Sequence, residues 1–187
     1  DAKFLIPDGV YEHFRDGIGR RGGDLHHVWS DLFGRYGREY PELANQIECM
    51  QRRDVPVGWD ADLPQFSADE KGIATRDSSG QVLNAIAKRF PWLLGGAADL
   101  APSTKTNLKF DGAGELQPAT PGGRNMHFGV REHAMGSIVN GIVLSKIRAY
   151  GSSFLIFSDY MKPPIRLSAL MEVPAIWIFT HDSIGLG

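Results

Sequence analysis

The alternation of helical and β-forming segments after residue 68 is the sequence feature that most constrains the fold. Residues 78–90 and 130–145 carry apolar side chains at helical spacing, whereas residues 92–94, 147–150 and 175–180 are short apolar runs. Helices that alternate with short strands are typical of α/β domains, in which the helices cover a mostly parallel sheet. The sequence therefore predicts an α/β fold with a mostly parallel sheet flanked by helices.

Three other segments complete this predicted domain. Gly95 and Gly96 are predicted to begin a loop directly after the strand at 92–94, since glycine readily ends regular structure. Residues 101–126 contain many Gly, Pro, Thr and Asn residues and are predicted to form a long surface loop. Residues 153–171 are predicted to form a helix that is interrupted near two prolines.

The first 68 residues differ in composition from the rest of the chain and are predicted to form a helical linker arm. Residues 24–40 have the spacing of an amphipathic helix, and Pro41 suits the first turn of another helix that ends near Arg53. Residues 54–68 read as an irregular connector. We therefore predict a linker over 1–68 and a domain over 69–187.

One glycine motif in the arm matches the letters of a dinucleotide-binding sequence. Gly17 to Gly22 read G-x-G-x-x-G, but this motif binds dinucleotides when it follows a strand and opens a helix. Here a charged, helix-like segment precedes the motif. A plain turn that breaks this helix is therefore predicted.

Charge and cysteine content exclude several classes of protein. Lys and Arg number 20 and Asp and Glu 22, so there is no basic excess to bind a nucleic-acid backbone. The single cysteine, Cys49, excludes an internal disulfide framework and a cysteine-rich zinc site, which favours a reducing, cytoplasmic location. Apolar runs such as residues 142–144 are too short to span a bilayer. No nucleic-acid partner and no membrane association are predicted.

Glu132 is the leading candidate for a chemical role. It falls in the first turn of the predicted helix at 130–145, and Met135 and Val139 follow it on the same face. One interpretation is a carboxylate that complements the positive end of the helix dipole. The other is a buried carboxyl group that keeps a proton and shares it with a ligand.

Three further candidates are an aromatic stripe on the predicted helix at 153–171 and two segments that follow predicted strands. Phe154, Phe157 and Tyr160 are spaced three residues apart and form an aromatic stripe, which is either core or the wall of a pocket for a flat heterocycle. Residues 95–103 and 180–187 follow predicted strands, and ligands bind at that edge of parallel sheets. Ordinary turns remain the alternative for both segments.

Taken together and in this order, these motifs resemble transketolase, the thiamine-diphosphate enzyme that moves two-carbon ketol units between sugar phosphates. The resemblance covers nearly all of the chain, and its motifs are residues 73–76, 95–103, 129–135, 154–160 and 180–187. It implies that residues 69–187 are the pyrimidine-binding domain of that family, truncated at its C-terminal end.

The resemblance also implies a role for each matching residue. Glu132 would be the catalytic glutamate that hydrogen-bonds the N1′ nitrogen of the aminopyrimidine ring. An aromatic pocket around that ring would be formed by Phe154, Phe157 and Tyr160. Asp99 and Leu100 would lie close to the cofactor. The sugar-phosphate end would be bound by Arg76, Ser103 and His181. The sequence departs from the family at Asp77, where a basic residue is common, and in the loop at 106–123.

The family binds the diphosphate and a divalent metal through a Gly-Asp-Gly motif, which this sequence lacks. The resemblance therefore implies thiamine diphosphate and Mg²⁺ or Ca²⁺ in an intact homodimer that serves the pentose phosphate pathway or the Calvin cycle. We expect the isolated chain to be inactive, to bind neither cofactor nor metal, and to have no metal ligands of its own. Dihydroxyacetone synthase, a split transketolase subunit and a non-catalytic partner module remain alternatives.

Overall fold

A computed structural model describes residues 3–182 of the chain. The chain forms two compact units, Asp1–Cys49 and Met50–Gly187. Among the described residues, no helix combines the length and apolar character that crossing a membrane requires.

The first unit is helical, and its helices are α1 (Val10–Phe14), α2 (Arg20–Glu39) and the greater part of α3 (Pro41–Arg52). The predicted break at Gly17 and Gly19 is wrong. Both glycines lie in a π-helical segment, Arg15–Gly19, that joins α1 to α2, so G-x-G-x-x-G is helical rather than a turn. A glycine in a helix costs only about 1 kcal/mol relative to alanine, which the flanking helices offset.

The second unit contains a four-stranded parallel sheet with strand order β2-β1-β3-β4. This arrangement confirms the predicted α/β fold with flanking helices. Its elements are α4 (Thr75–Arg89), β1 (Leu93–Ala97), α5 (Ala101–Thr104), β2 (Asn125–His127), α6 (Glu132–Leu144), β3 (Arg148–Phe154), a 3₁₀ helix (Leu155–Met161), α7 (Lys162–Leu170) and β4 (Ile176–Thr180).

The segment before α4 is irregular, as predicted, and it belongs to the second unit. Trp59 lies against the core beneath α4, and Asp62 accepts a hydrogen bond from Arg89 at 2.5 Å, which lowers the pKa of Asp62. The predicted domain boundary at residue 68 stays a prediction.

Strand β3 separates two apolar cores. Adjacent side chains of a strand point to opposite faces of the sheet, and Ala149 belongs to one core while Tyr150 belongs to the other. Residues of α4, including Leu83 and Ala87, pack with Tyr150, whereas Met135 of α6 packs with Ala149. The helices thus cover both faces of the sheet.

The predicted loop at Gly95 and Gly96 is wrong, because β1 continues through both glycines and buries them. A Cβ atom at Gly96 would collide with the carbonyl oxygen of Met126, and one at Gly95 with that of Tyr150. The two glycines are therefore required by the close approach of the neighbouring strands.

The helix predicted at 153–171 is also wrong in its first half. Strand β3 extends to Phe154, a 3₁₀ helix follows, and α7 begins at Lys162. Pro163 and Pro164 occupy the first turn of α7, where a missing N–H costs nothing. These prolines begin a helix rather than interrupt one.

The predicted surface loop at 101–126 is largely ordered by one buried side chain. Asn125 accepts a hydrogen bond from the backbone N–H of Leu108 at 2.8 Å and donates to the Leu108 carbonyl at 2.9 Å. Leu108 and Ala113 are consequently core residues. Helix α5 and strand β2 occupy the two ends of the segment.

Arg124 links the end of α4 to the start of β1. Its guanidinium group donates to the carbonyl oxygens of Ala87, Phe90 and Leu93 at 2.6–2.9 Å. We expect Arg124→Lys to lower the free energy of unfolding by about 2 kcal/mol, because an ammonium cannot fork across three carbonyls. Urea denaturation measures this loss.

Arg89→Lys is the matched control, because Arg89 is exposed and makes a surface ion pair with Asp62. Such pairs contribute roughly 0–1 kcal/mol. Equal denaturation midpoints for the two variants would contradict the role assigned to Arg124.

Candidate functional site

The carboxyl ends of the four parallel strands meet at one edge of the sheet. Strand β1 ends at Ala97, β3 at Phe154 and β4 at Thr180, and the register pairs Phe154 with Thr180. Ligands of open α/β sheets bind outside this edge. Asp99, Leu100, Phe154 and His181 all lie here, so the edge is the candidate site.

Glu132 is the first residue of α6 and is 7% exposed. The hydroxyl of Ser153 donates to its Oε1 atom at 3.4 Å, whereas the neighbouring Arg131 donates to the carbonyl oxygen of Phe128 at 3.0 Å. Met135, on the same helix face, is fully buried. The prediction that Glu132 begins a buried stripe is confirmed, and the carboxyl group also lies at the positive end of the helix.

The three predicted aromatic residues form a continuous row. The ring centroids of Phe154 and Phe157 are 5.8 Å apart at an interplanar angle of 14°, and those of Phe157 and Tyr160 are 6.3 Å apart. A 3₁₀ helix has three residues per turn, so positions three apart lie above one another. Phe157 and Tyr160 therefore follow the repeat of the 3₁₀ helix, whereas Phe154 ends β3 directly before that helix.

Arg76 and His181, predicted to bind the sugar phosphate, are in direct contact. Arg76 Nη1 lies 2.8 Å from His181 Nε2, and Thr180 Oγ1 lies 2.9 Å from His181 Nδ1. The His181 ring also packs on Phe154, with centroids 3.9 Å apart. The imidazole thus joins the predicted phosphate-binding residues to the aromatic row.

The remaining predicted residues lie at the same edge without joining this cluster. Asp99 is exposed and has a left-handed backbone with φ of 62°. Leu100 precedes α5, and Ser103 is exposed on α5, which contacts β3 and β4. Within residues 3–182, no hydrogen bond joins the Ser103 side chain to Arg76 or His181.

Two hydroxyl groups of this site were not predicted. Ser153 contacts Glu132, and Thr180 contacts His181. Ser153 directly precedes the motif at 154–160 and Thr180 begins the motif at 180–187, but their roles depend on strand register, which leaves no local signal. The motif at 180–187 extends beyond the described residues after Asp182. Among the described residues, no group of three or more His, Cys, Asp or Glu side chains is arranged to hold a metal ion.

Comparison with known proteins identifies the family. A family model described as "Transketolase, pyrimidine binding domain" matches residues 71–187, which is more than half of the chain. The chain belongs to the transketolase family. The resemblance predicted from the motifs is thereby confirmed.

Curated transketolases match the whole chain but are much longer. The transketolase of Bacillus subtilis is 44% identical over 190 residues, and that of Halalkalibacterium halodurans is 45% identical over 188 residues. Each alignment covers 100% of this chain and 28% of the relative. The chain therefore spans little more than a quarter of the length of these transketolases.

Solved transketolase structures have the same fold. The transketolase from Leishmania mexicana superposes with a TM-score of 0.88 at 34% identity, covering 99% of this chain and 27% of that one. A Pichia stipitis transketolase in complex with sedoheptulose-7-phosphate superposes with a TM-score of 0.87 at 37% identity, covering 98% of this chain and 28% of that one.

Proposed function

We propose that this chain supplies the pyrimidine-binding part of a transketolase, which transfers two-carbon ketol units between sugar phosphates with thiamine diphosphate. The observation that carries the proposal is the buried carboxyl group of Glu132, which accepts a hydrogen bond from Ser153, the residue directly before the aromatic row that begins at Phe154. The family membership supports the same function.

The residues present fit the aminopyrimidine half of that cofactor. Flat, half-buried rings at Phe154 and Phe157 suit a stacked heterocycle, and a buried carboxyl suits a basic ring nitrogen. When bound, thiamine diphosphate supplies a thiazolium carbon that acts as a nucleophile after losing its proton. Glu132 would hold a proton at its carboxyl oxygen against the ring nitrogen, and Ser153 would orient that carboxyl group.

We assign the sugar-phosphate end to Arg76, Ser103 and His181, with Asp99 and Leu100 close to the cofactor. The planar fork of Arg76 suits a phosphate group. The Pichia stipitis relatives described as complexes with sedoheptulose-7-phosphate and xylulose-5-phosphate support phosphorylated sugars as the substrate class.

The diphosphate and its Mg²⁺ or Ca²⁺ are assigned to a different domain, as the missing Gly-Asp-Gly motif implies.

We further propose that the intact enzyme is a cytoplasmic homodimer. Helix α6 offers a surface for a second subunit, because Ile138 is 44% and Leu144 is 51% exposed, and small residues at Ser137 and Gly141 permit close approach. A relative from Craterostigma plantagineum is chloroplastic, so the Calvin cycle is an alternative setting.

A chimaeric enzyme tests the proposal. This chain would replace its matching segment in the Bacillus subtilis transketolase, to which it aligns over its whole length. We expect two-carbon transfer between sugar phosphates, measured with a coupled assay, in a chimaera that binds thiamine diphosphate. A folded chimaera that binds the cofactor and transfers no two-carbon unit would overturn the proposed function.

A further inference from the structure

A cleft of about 550 Å³ lies between α4 and the segment that directly follows α5. The charged residues of its lining are one aspartate and three lysines: Asp77, Lys88, Lys105 and Lys109. We call it the lysine cleft. A cleft of this size accommodates a small organic molecule. Because its lining carries more positive than negative charge, the ligand that it suits is an anion.

The segment after α5 is held against α4 at two points. At the first, Gly80 lies so close to Lys105 that a Cβ atom on the glycine would be 2.5 Å from the Lys105 carbonyl oxygen. At the second, the Asn84 side chain accepts a hydrogen bond from the backbone N–H of Lys109 at 2.7 Å and donates to the Asn107 carbonyl at 3.0 Å. The backbone walls of the cleft are thus fixed before a ligand binds, which lowers the entropic cost of binding.

Uncompensated positive charge is concentrated at one end of the lysine cleft. At the other end, Lys105 Nζ lies 3.9 Å from Asp77 Oδ1, so a carboxylate offsets the charge of that lysine. Lys88 follows Asn84 by one helical turn on the same face of α4, and Asn84 holds the backbone of Lys109. Among the described residues, neither Lys88 nor Lys109 forms an ion pair. Two ammonium groups therefore remain for an anion with at least two negative charges.

We propose that the lysine cleft binds a small molecule with a diphosphate group, whose oxygens contact Lys88 and Lys109. The lysine ammonium is a common ligand of phosphate oxygens, and a diphosphate concentrates several negative charges in one short group. Ala85 and Phe110 form the apolar part of the lining and suit the remainder of such a ligand. This inference is independent of the proposed function, because no residue assigned to thiamine diphosphate or to the sugar phosphate lines the cleft.

The test is isothermal titration calorimetry of the full chain with inorganic pyrophosphate, without divalent metal. We expect one saturable site per chain. The double variant Lys88→Gln, Lys109→Gln should weaken binding by about tenfold or more, because glutamine nearly keeps the side-chain length and loses the charge. Asp77→Asn should strengthen binding by about threefold, because it leaves the charge of Lys105 without a carboxylate. A damaged fold could not produce that gain.

Lys162→Gln is the matched control. Lys162 is an exposed lysine of α7, which packs with α6 on the opposite face of the sheet from α4, so its replacement should leave the affinity unchanged. Arg76→Gln should also retain the affinity, which separates the lysine cleft from the proposed sugar-phosphate site.

Three results would overturn the proposal. The first is the absence of saturable binding, and the second is an equal loss of affinity in Lys162→Gln and the double variant, which indicates diffuse binding to surface charge. The third is a loss in Arg76→Gln with wild-type affinity in the double variant. That result would place pyrophosphate at the sugar-phosphate site and would leave the proposed function standing.

Discussion

Replacing Glu132 by glutamine in the chimaeric enzyme should lower turnover by about 100- to 10,000-fold, the usual contribution of a general acid–base group. Glutamine has the shape of glutamate and can still hydrogen-bond Ser153, so the fold and cofactor binding should persist. It cannot transfer a proton, which is the role proposed for Glu132 at the start of α6. The measurement is hydrogen–deuterium exchange at the thiazolium carbon of bound thiamine diphosphate.

Glu42→Gln is the matched control. Glu42 is also a glutamate in the first turn of a helix, α3, but it is exposed. Its replacement should leave the exchange rate unchanged and lower stability by roughly 0.3–1 kcal/mol, the range for a charge near a helix end. If Glu132→Gln exchanges as fast as the wild type, Glu132 serves only to stabilise the helix.

Gly96→Ala should lower the free energy of unfolding by about 3 kcal/mol or more, enough to unfold a marginal domain. The added Cβ atom would overlap the carbonyl oxygen of Met126 on the neighbouring strand. Backbone atoms in the middle of a sheet cannot move aside as a flexible side chain does. Urea denaturation of the full chain, followed by circular dichroism, measures the loss.

Gly141→Ala is expected to have the opposite effect on the free energy of unfolding. Gly141 lies within α6, and no atom lies within 4 Å of the position that its Cβ would take. Alanine there should raise stability by roughly 0.5–1 kcal/mol, because it restricts the unfolded chain and favours the helix. A wild-type midpoint for Gly96→Ala would show that β1 can separate from β2 without cost.

The fold class was predictable because it depends on periodicity, which a single sequence displays directly. The errors occurred where tertiary contacts override local preference. Gly95 and Gly96 favour a loop by composition, yet they form a strand because the adjacent strands exclude larger residues. Pro163 and Pro164 disfavour the interior of a helix, yet they suit its first turn, and α7 begins only after the 3₁₀ helix that follows β3 has ended.

The site was predictable to the extent that its residues stand in local motifs. Glu132 could be placed on a buried face from its own helix, and that placement is confirmed. Ser153 lies 21 residues from Glu132 in sequence, so their contact depends on how α6 packs against β3. The Arg76–His181 pair spans 105 residues, and only the finished sheet brings the two side chains together.

Arg124 also restricts how the proposed sugar-phosphate site can move. Helix α4 is 15 residues long, or about 22 Å, with Arg76 in its first turn and the carbonyls bound by Arg124 at its other end. A stiff rod that is fixed at its far end can pivot but cannot slide along its axis. Any advance of Arg76 toward a ligand must therefore come from its own side chain, from a pivot of α4 about its docked end or from unwinding of its first turn.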